Sequence, residues 1–270
     1  INKEPLKDEG EVNNLINELG TANFKLRNIE SKDQSSSPKP PFRTSTLQMS
    51  AASSLGFTAD RTMQAAQKLY EGGLITYLRT DGISISTSPN TGEPFSEENP
   101  GPPPLQEIRN FISSNYDSSF LSREQRIYKS KVQNSQEAHE AIRPTDIFKR
   151  PSDTVLSGDD EKLYTLIWNR TVASQMASSK YERKTLVISS EDNKYEFRAS
   201  SRKNIFKGFE ILTGTEDEKA TLFPEGLEIG SELSLISNKC EQKFTSPPNR
   251  YSEASLIKKM EEEGICLLYT

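Results

Sequence analysis

The sequence contains few of the residues that build metal and redox sites, since its 270 residues include one His, two Cys and one Trp. Cys240 and Cys266 form no C-x-x-C pair, which excludes a disulfide framework and a cysteine-rich zinc site. This cysteine usage favours a reducing compartment. No run approaches 18 apolar residues, so no membrane span is predicted. No Gly-rich loop precedes a Lys-Ser or Lys-Thr pair, so an ATP site has no support.

The composition is acidic and only moderately apolar. The chain has 34 basic and 39 acidic side chains, a net charge of -5, and 33% of its residues are hydrophobic. The low apolar content favours an open or multi-lobed shape over one compact globule. The negative charge argues against a protein that coats nucleic acid, although it allows one basic groove. The first residue is Ile1 and no secretory signal follows, so we expect a piece of a longer protein.

Residues 44–71 predict two helices joined by a short turn. Hydroxyl residues from Thr44 onward offer N-caps for a helix that Gly56 ends, and Thr58 offers a cap for the next one. Gly72 and its neighbour Gly73 close the second helix. This pattern is the helix-turn-helix signature, but on spacing alone an ordinary helical hairpin is the favoured interpretation.

The rest of the chain alternates between helical, polar and β-rich stretches. A proline-rich linker is predicted at 35–41 and a mobile loop at 87–104. The other predicted elements are helices near 12–19, 105–120, 159–178 and 251–263, and strands at 24–29, 74–78, 185–188, 195–198, 206–212 and 232–236. A β-rich lobe is therefore expected after the helical one.

Tyr77 and Arg79 are the first candidates for chemistry. Alternation along the predicted strand puts both side chains on one face. A Tyr hydroxyl beside a guanidinium can attack a phosphodiester, because the Arg holds the phosphate and takes up charge as the five-coordinate state forms. The phenol needs help from a base, a cation or a metal-bound water. On spacing alone, a partly buried Tyr and a surface Arg remain the simpler interpretation.

His139, the only His, lies in the run Gln-Glu-Ala-His-Glu-Ala-Ile-Arg-Pro-Thr. A His can donate to a phosphate or move a proton near neutral pH, although a lone His is more often structural. The motif is not H-E-x-x-H, because position 143 is Arg, so a metalloprotease helix is excluded. The acidic run 261–263 indicates a solvated helix face, so the chain's own carboxylates predict no magnesium site.

Taken together, five motifs resemble the type IA DNA topoisomerases in order and approximate spacing. They are 42–48 (Phe-Arg-Thr-Ser-Thr-Leu-Gln), 71–81, 136–145, 166–170 and 250–256. The resemblance covers most of residues 1–265. Leu78, Glu140 and Arg143 look more like the bacterial-type topoisomerase I branch. Met49 and Gly82 depart from the usual Gln and Ser, and both changes look tolerable.

The resemblance implies roles for particular residues. Tyr77 matches the nucleophile that cuts one DNA strand and holds the 5′ phosphate, and Arg79 matches the Arg that positions the scissile phosphate. A further set of polar residues would bind DNA: His139, Arg143, Arg250, Ser45, Thr46 and Gln48. No metal ligand is implied within this chain.

The resemblance also implies an α+β multi-domain fold. The expected parts are a first piece of a β-rich hinge or arch (1–36), a winged-helix-like helical domain with the active-site Tyr (37–178), the second piece of the hinge (179–243), and the start of a helical DNA-binding domain (244–270). The family motif after Gly264 and Ile265 normally reads Gly-Arg-Pro-Ser-Thr-Tyr. The different residues that begin at Cys266 suggest a truncation.

The implied activity is single-strand cleavage through a 5′-phosphotyrosine, strand passage and religation, which relaxes negative supercoils without ATP. The family holds Mg²⁺ in a Toprim domain that this sequence lacks, so the chain alone is expected to cleave poorly. The expected partner is single-stranded DNA, with no membrane, and the expected state is an intracellular monomer in a bacterial cytoplasm or a eukaryotic organelle. Two alternatives stay open: a non-catalytic winged-helix-like module that binds single strands, and a protein-interaction scaffold.

Overall fold

The structure, a computed structural model, describes residues 8–88, 102–129, 140–214, 223–263 and 265. The chain splits into two compact units. The β-rich unit consists of Ile1–Ser35, Lys180–Phe206 and Thr215–Pro248, and the helical unit of Ser36–Ser179, Lys207–Gly214 and Asn249–Thr270. Helices together with an antiparallel sheet confirm the predicted α+β class. His139, residues 89–101 of the predicted loop and residues 266–270 lie outside the described residues.

The β-rich unit is built on a four-stranded sheet. Its elements are α1 (Glu9–Thr21), β1 (Phe24–Ser36), β2 (Ser179–Ser190), β3 (Glu196–Phe206) and β4 (Glu232–Leu233), and the strand order is β3-β2-β1-β4. β2 and β3 are antiparallel, with Ser189 opposite Glu196, and β1 pairs antiparallel with β4. Phe24 and Leu26 are buried, because alternate residues of a strand face the same side.

Two capped helices open the helical unit. α2 (Thr44–Leu55) ends at Gly56, whose φ of 68° is the left-handed conformation that glycine adopts without strain. α3 (Ala59–Glu71) begins after Thr58, whose side-chain hydroxyl accepts a hydrogen bond from the backbone N–H of Arg61. Both ends lie where the capping residues predict them.

The core of the helical unit forms around α5. The unit continues with α4 (Pro104–Asn115), α5 (Gly158–Gln175), the short α6 (Glu210–Thr213) and α7 (Glu253–Glu262). α5 packs against α2, α3, α4 and α6. The buried Trp168 of α5 meets Phe111 of α4 edge to face, with ring centroids 5.3 Å apart. The indole N–H donates to the carbonyl of Ile147 at 3.0 Å, so the buried polar end of the ring is satisfied.

Several predicted elements differ from the structure. The strand predicted at 206–212 is wrong, because β3 ends at Phe206 and Glu210 begins the short helix α6. The strand predicted at 232–236 shrinks to the two residues of β4, and the helix predicted at 105–120 stops at Asn115. β1 runs on through Ser36, so the linker predicted at 35–41 starts later. The strand predicted at 74–78 is also absent.

The bounds of the two units differ from the expected parts at two places. Residues 207–214 and 249–270 group with the helical unit, whereas a hinge and a further domain were expected there. α7 packs against α2, and the Glu253 carboxylate accepts from the backbone N–H of Ala59 at 3.1 Å. Among the described residues, no helix is both long enough and apolar enough to cross a bilayer.

Candidate active site

The segment that carries Tyr77 leaves α3 through Gly72 and Gly73 and makes a single antiparallel bridge, Ile75 with Pro144. The N–H of Thr76 donates to the carbonyl of Arg143 at 2.9 Å. The bridge does not grow into the predicted strand, because two N–H groups that would extend it bond elsewhere. The Arg143 N–H donates to the Thr76 hydroxyl, and the Leu74 N–H donates to the carbonyl of Leu69.

Tyr77 and Arg79 nevertheless point outward. The Tyr77 side chain is 54% exposed and Arg79 is exposed, whereas Leu78 and Thr80 between and after them are buried. The Tyr77 ring packs edge to face against Tyr70 at the end of α3, with centroids 5.4 Å apart. The predicted alternation therefore holds without a regular strand, and the phenol and the guanidinium are both available at the surface.

Thr44, the first residue of α2, anchors the backbone after Tyr77. Its side-chain hydroxyl donates to the carbonyl of Leu78 at 2.6 Å and accepts from the N–H of Thr80 at 2.9 Å. Its backbone N–H donates to the carbonyl of Thr80 at 3.0 Å. The start of α2 thus holds three successive peptide groups, those that join residues 78 to 81.

Segment 140–145, which lies C-terminal to Tyr77 in sequence, also anchors the backbone around Tyr77. The Thr76 hydroxyl donates to the carbonyl of Ala141 at 2.8 Å, and the Thr80 hydroxyl donates to the carbonyl of Glu140 at 2.9 Å. Residues on both sides of Tyr77 are therefore tied to the chain that follows His139 in sequence. Each bond satisfies a partly buried polar group that would otherwise be costly.

Arg143 and Glu140 stabilise that supporting segment. The guanidinium donates to both Glu140 carboxylate oxygens, at 2.8 and 3.2 Å, and to the carbonyl of Pro144 at 2.8 Å. Arg143 is buried, so the expectation that it binds DNA does not fit this placement. Burial raises the pKa of the nearby Glu107 carboxyl, and the charge of Arg143 partly offsets that rise.

The other predicted DNA contacts fall into two groups. Ser45, Thr46 and Gln48 lie half-buried in the first turns of α2, next in sequence to Thr44. The Thr46 hydroxyl accepts from the Arg43 N–H at 3.0 Å, and the Ser45 hydroxyl accepts from the Arg43 side chain at 3.1 Å. Arg250 is exposed in the stretch before α7. The start of α2 is thus hydrogen-bonded to the Tyr77 segment through Thr44, and α7, which follows Arg250, packs against α2.

The described residues do not form a metal site. Within the described ranges, no three His, Cys, Asp or Glu side chains lie close enough to hold a metal ion. The magnesium requirement implied by the resemblance stays a prediction.

Comparison with known proteins decides the family. Residues 1–266 match the family model described as DNA topoisomerase. The chain belongs to the bacterial type IA DNA topoisomerases. It is 41% identical to DNA topoisomerase 1 of Rickettsia bellii and 39% identical to that of Helicobacter pylori, with 98% of the chain covered in both. The resemblance drawn from the five motifs is thereby confirmed.

A solved structure agrees with this family. Full-length topoisomerase I from Thermotoga maritima matches all of this chain with a TM-score of 0.78 and 32% identity. The chain covers 42% of that protein, and it spans 33% of the Rickettsia bellii topoisomerase and 35% of the Helicobacter pylori one. The chain therefore corresponds to about a third of its curated relatives.

Several residues of the candidate site were not predicted from the sequence. Thr44 stood out only as a candidate helix cap, and Glu140 only as a branch marker. The roles of Thr76 and Thr80 depend on partners 36 to 67 residues away in the chain, which no local pattern reveals. Tyr70 stands four residues after the buried Ala66 of α3, but 40% of it is exposed, beside Tyr77.

Proposed function

We propose that this chain carries the DNA-cleaving tyrosine of a type IA topoisomerase and that Tyr77 is the nucleophile. The observation that supports the proposal most directly is the exposure of Tyr77 and Arg79 on a backbone anchored by α2 and by segment 140–145. A nucleophile for a large substrate needs an accessible oxygen, and its attack needs a fixed position. The anchored segment meets both requirements.

The proposed reaction is a transesterification. The Tyr77 phenol oxygen forms a bond to the scissile phosphorus, and the bond from phosphorus to the 3′ oxygen of the upstream nucleotide breaks. The phenol proton goes to a base, and the departing 3′ oxygen takes up a proton. Arg79 binds the phosphate and stabilises the charge of the five-coordinate state. The ester bond is exchanged rather than hydrolysed, so resealing runs backwards along the same path and needs no ATP.

Further parts of the proposal concern the DNA and the domains. We propose that Ser45, Thr46, Gln48, His139 and Arg250 bind a single strand near Tyr77, and that the protein acts as a monomer inside the cell. Residues 1–36 and 179–243 would serve as the hinge of the Tyr domain (37–178), and 244–270 would begin a further DNA-binding domain. The chain crosses between the two compact units repeatedly, as a hinge split in sequence requires. Any Mg²⁺ would be held outside the described residues.

The test uses the product of the complete gene with a single-stranded oligonucleotide labelled at its 3′ end. After denaturation, a 5′-phosphotyrosine leaves the label attached to the protein. We expect the adduct in the wild type and in Tyr70→Phe, which keeps the neighbouring ring, and its loss in Tyr77→Phe. An adduct in Tyr77→Phe would show that the nucleophile is another residue. Salt-sensitive binding of DNA with no adduct in any variant would support the non-catalytic module instead.

A further inference from the structure

We propose that Thr44 is a positioning residue, which sets the location of the Tyr77 phenol through the peptide groups of residues 78–80. This inference rests on the proposed function of Tyr77. It adds a residue that touches neither DNA nor the reacting atoms, and it assigns that residue a part in cleavage.

The Tyr77 side chain needs outside support for its position. More than half of it is exposed, and its recorded ring contact is the single edge-to-face packing against Tyr70, itself 40% exposed. A tyrosine on an unsupported loop would sample many positions of its hydroxyl. The position of the Tyr77 phenol therefore depends on how firmly its backbone is held.

Thr44 supplies that hold with a single hydroxyl. The oxygen lies 2.6 Å from the carbonyl oxygen of Leu78 and 2.9 Å from the backbone nitrogen of Thr80, so it bridges two successive peptide groups as donor and acceptor. Its own backbone N–H adds a third bond, to the carbonyl of Thr80. Other anchors of the segment connect it to segment 140–145 instead, among them the Thr76 and Thr80 hydroxyls, which donate to carbonyls there.

The other end of this connection is rigid. Thr44 is the first residue of α2, whose Leu47 and Ala51 are fully buried in the core of the helical unit. The first turn is fixed as well, because the Thr46 hydroxyl and the Arg43 backbone bond to each other in both directions. The Thr44 hydroxyl thus connects the Tyr77 loop to a helix that is packed into the core of the helical unit.

The experiment compares three variants of the complete gene product. Thr44→Val keeps the shape of the side chain and removes the hydroxyl, whereas Thr44→Ser keeps the hydroxyl. Thr171→Val is the matched control, because it removes a buried hydroxyl that donates to the carbonyl of Ile167 within α5. For each variant we measure the single-turnover rate of adduct formation at saturating oligonucleotide, the dissociation constant for that oligonucleotide, and the thermal unfolding midpoint.

We expect Thr44→Val to lower the rate of adduct formation about 10- to 100-fold with little change in DNA affinity, since small displacements of reacting groups have effects of that size. Thr44→Ser should recover most of the rate, and Thr171→Val should keep it despite a lower unfolding midpoint. The proposal is overturned if Thr44→Val cleaves as fast as the wild type. It is equally overturned if Thr171→Val, at a matched loss of stability, slows cleavage as much.

The wild-type reaction separates this inference from the function on which it rests. If the wild type forms no adduct, or if Tyr77→Phe still forms one, the proposed function fails first. If the wild type forms a Tyr77-dependent adduct and Thr44→Val forms it equally fast, only the positioning role of Thr44 is lost.

Discussion

Arg143 and Glu140 form a two-point ion pair whose guanidinium is buried against the segment that holds Tyr77 in place. The pair belongs to the motif that contains His139, and its backbone accepts from or donates to Thr76 and Thr80. A motif that resembles a DNA-contacting signature thus also contains residues that work inside the protein. Arg143 and Glu140 therefore support the candidate site from within the protein, whereas Tyr77 and Arg79 are exposed on its surface.

The ion pair should matter for stability. Arg143→Leu removes the guanidinium donor from the Pro144 carbonyl and both guanidinium bonds from the Glu140 carboxylate, which keeps its bond from the backbone N–H of Ser86. We therefore expect a loss of about 2 kcal/mol in the free energy of unfolding. Trp168 is the only Trp of the chain and lies in the core of the helical unit, so its fluorescence in urea reports this unit. The control is Arg61→Leu, which removes an exposed two-point pair with Asp159 and should have a smaller effect. Equal losses of unfolding free energy in Arg143→Leu and Arg61→Leu would contradict the claim that burial makes the Arg143–Glu140 pair important for stability.

The burial of Arg143 also predicts how its loss affects the salt dependence of DNA binding. If Arg143 bound a phosphate, its loss would reduce the slope of log K against log salt for single-stranded DNA by roughly 0.7. Because its guanidinium is buried and bonded within the chain, we expect Arg143→Leu to leave the slope unchanged. Arg79→Ala should reduce the slope by about that amount, since Arg79 is exposed beside Tyr77. A reduced slope for Arg143→Leu would restore Arg143 to the DNA surface.

Arg79 should not tolerate replacement by lysine. Lysine keeps the charge but lacks the planar fork that binds two phosphate oxygens at once. We expect Arg79→Lys to lower the relaxation of negatively supercoiled DNA by the complete gene product by about tenfold or more. Arg123→Lys, which changes another exposed arginine of the helical unit, should relax DNA as the wild type does. Unchanged relaxation by Arg79→Lys would remove Arg79 from the mechanism.

Tyr164 makes the stability of the helical unit depend on pH. Burial, together with the nearby Asp146 and Asp153 charges, raises the pKa of Tyr164 to about 12, and its hydroxyl donates to the carbonyl of Lys149. The neutral phenol is favoured in the folded state, so this stabilisation is complete below the unfolded pKa of about 10 and is lost as pH rises towards 12. The effect amounts to at most about 3 kcal/mol.

The urea midpoint of Trp168 fluorescence between pH 9 and 12 measures this effect. The wild-type midpoint should fall more steeply with pH than that of Tyr164→Phe, which has no phenol to ionise at this position. Tyr116 and Tyr128, whose pKa values burial also raises, remain in both proteins and provide the common background. Parallel pH profiles for the two proteins would contradict the assignment to Tyr164.

The helical part of the fold followed from local chemistry. Thr58 and Gly56 act through hydrogen bonds and backbone angles within a few residues, so the helix ends that they form can be predicted from the local sequence. The strand predicted at 74–78 failed because its N–H and carbonyl groups bond to distant partners. Thr44 takes the Leu78 carbonyl, and the Thr76 side chain takes the Arg143 N–H. Intrinsic β preference gives no information about such competition.

The candidate site was likewise predictable only in part. The shared face of Tyr77 and Arg79 followed from alternation, and the five motifs led to the family. The internal role of Arg143 did not follow, because burial depends on which segments meet in the folded chain. The exposure of Tyr70 was also unpredictable from the periodicity of α3, which favours burial at that position.

The most direct test of the central claim is to locate the nucleotide on the protein. The trapped adduct is digested with nuclease and trypsin, which releases the peptide of residues 69–79, and fragmentation in a mass spectrometer assigns the modified residue. That peptide contains both Tyr70 and Tyr77, so the two neighbouring rings are compared within one molecule. The account predicts a 5′-nucleotide phosphate on Tyr77 and an unmodified Tyr70. A phosphate on Tyr70, or on a tyrosine in any other peptide, would contradict it.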